Sequence, residues 1–317
     1  MGIRGLNTMI KKLSPDAVTL NDISKYRNSI VAIDCSILLY KFKYASKAEN
    51  SHLVGLANRI KFYMMNGILP VFIFDGVPLE AKRNTINKRH DAKEKLYVRI
   101  DELKEKVPDN EEDSKKISEE IEKLSSQIIV IKKYHIDECK EFLEKSGIPY
   151  CTAPNDAEKY CAFLQKNELV NYTITDDTDA ITFGCQRILK TSINKNIIEI
   201  DSSKVLLDFE MDVDAFIDYC ILSGCDYTET ISQIGPITAY NLIKRHKTIE
   251  EMLKTIEKCK YTENFNYVEA RKIFKEFDYE IPERFRKKSI DKTILLEFLN
   301  LHDFKENVIS KFIKILI

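Results

Sequence analysis

Three short apolar runs in this chain stop at an acidic residue: Ser29-Ile30-Val31-Ala32-Ile33-Asp34, Pro70-Val71-Phe72-Ile73-Phe74-Asp75 and Val170-Asn171-Tyr172-Thr173-Ile174-Thr175-Asp176-Asp177. Such runs read as strands of a parallel sheet, buried on both faces by helices. In an open α/β sheet the crevice outside the carboxyl ends of the strands is the usual ligand site, so acids distant in sequence converge there. With Asp156, Glu158, Asp179 and Asp226, the strand-end acids Asp34, Asp75 and Asp177 make an ordered set of seven carboxylates. One strand-end Asp reads as a turn or cap residue. Seven in order predict a metal site.

The rest of the composition narrows the class. At 317 residues and 44% hydrophobic the chain can bury a full core, and its apolar runs meet acids well before they could cross a bilayer. No secretory leader is expected, and Leu6 stands where a myristoylation signal starting at Gly2 needs Ser or Thr. Eight cysteines without a Cys-x-x-Cys pair and five scattered histidines give little support to zinc and fit reduced thiols in an intracellular compartment. A net charge of −1 argues against general adhesion to nucleic acid, so any such surface has to be local. Residues 80–99 carry seven Lys or Arg against three acids, whereas residues 100–122 carry four against ten. Lys244-Arg245-His246-Lys247 and Arg284-Phe285-Arg286-Lys287-Lys288 are further basic clusters. A solvated helix face is the competing reading for each of these.

Strand-ending acids alternate with helical stretches to about residue 230, a βαβ pattern that implies a mostly parallel twisted sheet flanked by helices. Four segments are expected: 1–78 and 134–246 as the two parts of an α/β core, 79–133 as an inserted arm of two helices around Pro108-Asp109-Asn110, and 247–317 as a helical closing part. Within the second core segment, a helix from about Asp212 and another opened by Pro236 flank a tight turn, and the free amides at such a helix start can seat a phosphate.

Carboxylates with few histidines suit Mg²⁺, a hard cation, and two such ions roughly 4 Å apart can activate water and stabilise the leaving oxygen of a phosphodiester. In Pro154-Asn155-Asp156-Ala157-Glu158 the two acids can aim at one point only at a helix beginning, where the dipole favours them. Asp177-Thr178-Asp179 offers a second pair, with Asp176 in support. Lys82 and Arg89 lie seven apart on the arm and could hold a scissile phosphate, a role Lys88 could also take.

Taken together, Met1-Gly2-Ile3-Arg4-Gly5-Leu6, Val31-Ala32-Ile33-Asp34-Cys35-Ser36, Phe74-Asp75-Gly76-Val77-Pro78, Asn155-Asp156-Ala157-Glu158, Asp176-Asp177-Thr178-Asp179-Ala180-Ile181-Thr182-Phe183-Gly184 and Gly224-Cys225-Asp226-Tyr227 resemble the flap endonuclease (XPG-type) structure-specific 5′ nucleases over nearly the whole chain. The resemblance implies a PIN-like nuclease core with a helical arch and a helix-two-turn-helix. It implies that Asp34, Asp75, Asp156 and Glu158 hold one Mg²⁺ and Asp177, Asp179 and Asp226 a second, with Mn²⁺ as a substitute. By the same resemblance, Lys82 and Arg89 with the second metal's Asp177 and Asp179 serve catalysis, Tyr40 stacks on a base, and Gly2 lies near the active site. Gly235, Lys244 and Arg245 would belong to the duplex grip, aided by K⁺.

Two departures stand out: Asp156 where relatives usually have Glu, and Gln233 where a glycine is common. The residues given contain no Gln-x-x-aliphatic-x-x-aromatic-aromatic sliding-clamp motif, so recruitment by that route is not expected. The implied partner is branched or 5′-ended DNA, cut by a monomer in the nucleus or wherever DNA is replicated. A catalytically silent platform of the same fold, or a nuclease for four-way junctions, 5′ ends or RNA, are the alternatives.

Overall fold

A computed structural model describes residues 2–108, 110–191, 196–255 and 264–316 of the chain. Met1 of the amino-terminal motif and Asp109 of the expected arm turn lie outside the described residues. Helix α1 (Leu6–Leu13) precedes strand β1 (Val18–Asp22) and the first acid-ended strand, β2 (Ile30–Asp34). Helices α2 (Cys35–Ala45) and α3 (Ser51–Met65) lead to β3 (Leu69–Phe74), the second of these strands. The charged segment then forms two long helices, α4 (Arg83–Glu105) and α5 (Glu111–Gln127), as its charge and Pro108 predict.

The chain re-enters the core through α6 (Lys133–Lys145), β4 (Tyr150–Thr152), α7 (Ala157–Lys166), β5 (Tyr172–Ile174) and the short α8 (Asp179–Thr182). Strands β6 (Arg187–Thr191) and β7 (Asn196–Asp201) follow, then α9 (Ser202–Phe209), α10 (Val213–Ser223), α11 (Pro236–His246), α12 (Ile249–Leu253) and α13 (Tyr267–Lys275). After a segment with no helix or strand, residues 276–291, α14 (Lys292–Leu301) and α15 (Glu306–Leu316) close the described chain.

Seven strands form one sheet in the order β1-β7-β6-β5-β2-β3-β4. The four pairings from β6 to β4 are parallel, and β7 pairs antiparallel with both β6 and β1. Alternation along the central strands explains their unbroken apolar sequence. Val31, Ile33, Phe72 and Phe74 face a core built with α3, α6, α14 and α15, while Ala32, Val71 and Ile73 face α7. Phe142 of α6 stacks on Phe298 and Phe312, at 5.7 and 5.3 Å between ring centres, and so fixes the last two helices to the sheet. Truncating an aromatic buried like this costs about 3–5 kcal/mol. Because β2, β3 and β5 run parallel and neighbour one another, their carboxyl ends and the acids there open on one side.

Candidate metal centre and nucleic-acid interface

All seven acids line one cleft of about 230 Å³ together with Lys82, Arg89 and Tyr40. Local folding explains how they get there. Asp34 ends β2 and accepts the Ser36 amide at 2.9 Å, so it caps α2 as well as facing the cleft. Asp75 follows β3 directly. Its Oδ1 accepts the Ala157 amide at 2.8 Å and thereby caps α7 from another strand. The approach is close because Gly76 has no side chain: a Cβ there would lie 2.0 Å from the Ala153 carbonyl oxygen. Asp156 occupies the cap position of α7 but makes no bond to its amides. Instead its Oδ1 accepts from Lys82 Nζ at 2.7 Å and its Oδ2 from the Tyr227 hydroxyl at 2.8 Å. Asp75, not Asp156, therefore caps α7.

Glu158, the second residue of α7, reaches the end of β5. Its Oε1 accepts the Ala180 amide at 3.2 Å and the Thr175 hydroxyl at 3.4 Å. Ligand oxygens of Glu158, Asp177 and Asp179 lie within 4.8 Å of one another. This grouping differs from the division implied by resemblance, in which Glu158 belongs with Asp34, Asp75 and Asp156. Burial raises the Glu158 and Asp179 carboxyls well above the usual range, reinforced by neighbouring carboxylates that include Asp177. Asp177 is raised too, again by burial first, and Asp34 is pushed up to about 7 by burial and then by the charge of Asp75.

Asp179 Oδ1 is buried with no hydrogen-bond donor among the described residues. Hard oxygen donors, mutual repulsion and an unpartnered buried oxygen together fit a divalent cation of the Mg²⁺ type. Gly2 packs into the same site. Gly2 has φ 93°, and a Cβ on it would stand 1.6 Å from Asp177 Oδ1, so no larger residue fits there.

Two acids are not bare. Arg89 Nη2 donates to Asp226 Oδ2 at 2.6 Å, the counterpart of the Lys82–Asp156 pair. Asp156 and Asp226 thus have cationic partners, which come from the base of α4 and the turn before it. Lys88 turns away, toward Glu229 at 3.8 Å. Asp176 pairs with Lys41, which fits a supporting part. Tyr40 is 40% exposed on the cleft, with Lys93 Nζ 5.6 Å from its ring centre. Gly235, Lys244 and Arg245 stand apart from the cleft, at the two ends of α11. Lys244 is paired with Glu210. Gln233 adopts φ 64°, a left-handed conformation that glycine takes more readily.

Sequence reasoning missed Ser36, whose hydroxyl bonds Asp75, and Thr175, which accepts the Asp177 amide at 3.1 Å as well as donating to Glu158. It also gave Tyr227 no role beyond the motif containing Asp226. In each case the available signal was adjacency to a predicted ligand or, for Thr175, to the strand that carries one.

Known proteins share this chain's sequence pattern and fold. The XPG N-terminal domain family matches residues 1–96 and the XPG I-region matches residues 147–226. Flap endonuclease 1 of Aedes aegypti is 37% identical, covering 89% of this chain and 77% of that protein, and flap endonuclease 1-A of Oryza sativa subsp. japonica is 34% identical, covering 99% and 86%. The structure of flap endonuclease-1 from Methanococcus jannaschii superposes with a TM-score of 0.68 at 25% identity, covering 94% of this chain and 95% of that one. The catalytic core of Rad2 in complex with DNA substrate shares the fold at 22% identity, with a TM-score of 0.77 and full coverage of both chains.

Proposed function

The chain belongs to the flap endonuclease family of XPG-type structure-specific nucleases, and from that premise we propose that it hydrolyses one phosphodiester near the junction of duplex DNA and a 5′ single strand, using two Mg²⁺ ions. The observation that carries this reading is the single cleft in which seven acids from separate strands and helices meet two cations of the arch. Asp34, Asp75, Asp156, Glu158, Asp177, Asp179 and Asp226 would hold the ions. When bound, these would supply an activated water and charge stabilisation at the leaving oxygen.

The chain's own residues account for the rest. Lys82 and Arg89 already point into the cleft, each on a carboxylate, and exchanging that carboxylate for a phosphate oxygen keeps each charge paired while delivering it to the scissile group. The exposed ring of Tyr40 offers a base a stacking surface beside them. The amides at the start of α11, after Gly235 and Pro236, suit a duplex phosphate, and Lys244 and Arg245 in its last turn extend the grip. A K⁺ ion at the turn before α11 belongs to the same proposal, with duplex binding in K⁺ against Na⁺ as its check.

The test is a cleavage map of a 5′-labelled flap with Mg²⁺, with a nicked duplex, a four-way junction and RNA as competitors. Asp177→Ala combined with Asp179→Ala should abolish cleavage while flap binding in Ca²⁺ stays measurable. Undiminished hydrolysis by that double variant would overturn the assignment.

A further inference from the structure

We propose that Tyr227 is a positioning residue for this cleft: its hydroxyl orients Asp156 and its ring seats Lys82, so that the turn after α10 sets the geometry of a metal ligand and of an arch cation together. This rests on the nuclease reading above and adds to it a residue outside the acidic and basic sets.

The carboxylate of Asp156 takes no orientation from its own helix, since it makes no bond to the amides of α7. Its two oxygens instead have one side-chain donor each, Lys82 on Oδ1 and Tyr227 on Oδ2. These donors differ in kind. Lys82 belongs to the arch and has to leave Asp156 if it is to hold a phosphate, whereas Tyr227 is fixed. Only 3% of Tyr227 is exposed, and its ring packs edge-on against Phe274 at 5.2 Å and Phe183 at 6.1 Å. When Lys82 moves, Tyr227 is the donor that keeps Asp156 aimed at the cleft. The phenol is also neutral, so it orients the carboxylate without cancelling the charge a divalent ion requires.

The same ring lies 5.7 Å from Lys82 Nζ, within cation–π range. The backbone beside it fastens the arch as well. The Thr85 hydroxyl donates to the Asp226 carbonyl at 3.0 Å, and Arg89 bonds the Asp226 side chain. Lys82, Thr85 and Arg89 recur at intervals of three and four, one face of a helix. That face docks on Asp226 and Tyr227, where the tight turn toward α11 begins, so the position of that turn is communicated to the cleft through a buried aromatic.

The test is Tyr227→Phe in the full chain, which keeps the ring and removes only the hydroxyl. Supporting hydrogen bonds of this kind are worth about 10–100-fold in metal affinity or activity. The variant should lose about that factor in kcat on a 5′ flap and in Ca²⁺ affinity by titration calorimetry, while KM for the flap stays within about twofold. Because Tyr227 acts through Asp156, adding Tyr227→Phe to Asp156→Asn should cause no further loss. Wild-type kcat and Ca²⁺ affinity in Tyr227→Phe, a fall in thermal stability with metal affinity unchanged, or additive losses in the double variant would each overturn the proposal. The calorimetry reads Tyr227 without substrate, and flap cleavage by the unaltered chain reads the nuclease assignment, so failure of one is separable from failure of the other.

Discussion

Two groups of buried acids in this protein are handled in opposite ways. Behind the tight turn, Asp218 of α10 is almost fully buried and every oxygen has a donor: Arg271 Nε and Nη2, each at 2.8 Å, and the Ile249 amide at 3.0 Å. Arg271 bonds Glu250 as well, so one guanidinium ties α10, α12 and α13 together. In the cleft, Glu158, Asp177 and Asp179 are gathered within 4.8 Å, and Asp179 keeps a buried oxygen with no donor among the described residues. A buried carboxylate whose partners are all internal serves the scaffold. Carboxylates left to repel one another are arranged for a counter-charge from outside the polypeptide, and their strain is accepted for function.

The sharpest way to break this contrast is to remove the counter-charge from the scaffold site. Arg271→Ala leaves the Asp218 carboxylate buried without its fork and should cost about 3–5 kcal/mol, measured as a lower urea midpoint. Ca²⁺ affinity at the cleft should be unchanged. The opposite sign is expected in the cleft, where replacing Asp177 and Asp179 by alanine relieves repulsion and should raise the melting temperature of the metal-free protein. If both changes destabilise alike, the cleft acids are scaffold after all.

Acidity supplies the next test. The Asp34 carboxyl lies at about 7, against an ordinary value near 4 in an unfolded chain, and Glu158, Asp177 and Asp179 are displaced in the same direction. A raised value means that the native state binds more protons than the unfolded chain between those limits. Its contribution to stability is complete below about pH 4 and is lost as pH rises through 7. Without divalent ions the protein should lose about 2 kcal/mol of stability from Asp34 alone between pH 5.5 and 8. Because cations and protons compete for these oxygens, excess Ca²⁺ should stabilise more at pH 8 than at pH 5.5. A denaturation profile that does not change with pH in the metal-free protein would contradict the cleft's electrostatics.

The features visible in sequence are those with a strong local signal. Continuous apolar runs marked β2 and β3 to within a residue, charge and Pro108 marked the two arch helices, and Pro236 marked the start of α11. The third acid-ended run is a strand over Tyr172–Ile174 alone; beyond it the Thr175 amide still bonds the Leu189 carbonyl while its hydroxyl braces Glu158 and Asp177. Strand β1 escaped notice because it is half-exposed and its partner β7 is remote in sequence. The same distance hid the Lys82–Asp156 and Arg89–Asp226 pairs: residue types showed both charges, but only the fold sets the arch base against them. Which acid neighbours which was likewise illegible, since the reach of Glu158 to β5 depends on how α7 crosses the sheet.

Glu199 gives the mildest and finest version of the contrast. It too is buried, on β7, but its two cationic donors are half-exposed: Lys25 at 2.6 Å and Arg187 at 2.8 Å, with the Tyr26 hydroxyl at 3.0 Å and the Asn21 amide at 3.3 Å beside them. Burial pushes this carboxyl up, yet hydrogen bonds from Lys25, Tyr26 and Arg187 outweigh it and hold the group below the usual range. The linkage therefore runs opposite to that of Asp34, with stability present above the ordinary glutamate value and lost as pH falls through the lowered one. Lys25 and Arg187 have side chains 47% exposed, so water can take over their charges when the carboxylate is removed. Glu199→Gln should accordingly cost only about 1 kcal/mol near neutral pH, several times less than Arg271→Ala. The cost should shrink in acid, where the native carboxylate is itself being protonated. A loss as large as that of Arg271→Ala would mean that burial of the acid, not burial of its partners, decides what an internal ion pair is worth in this fold.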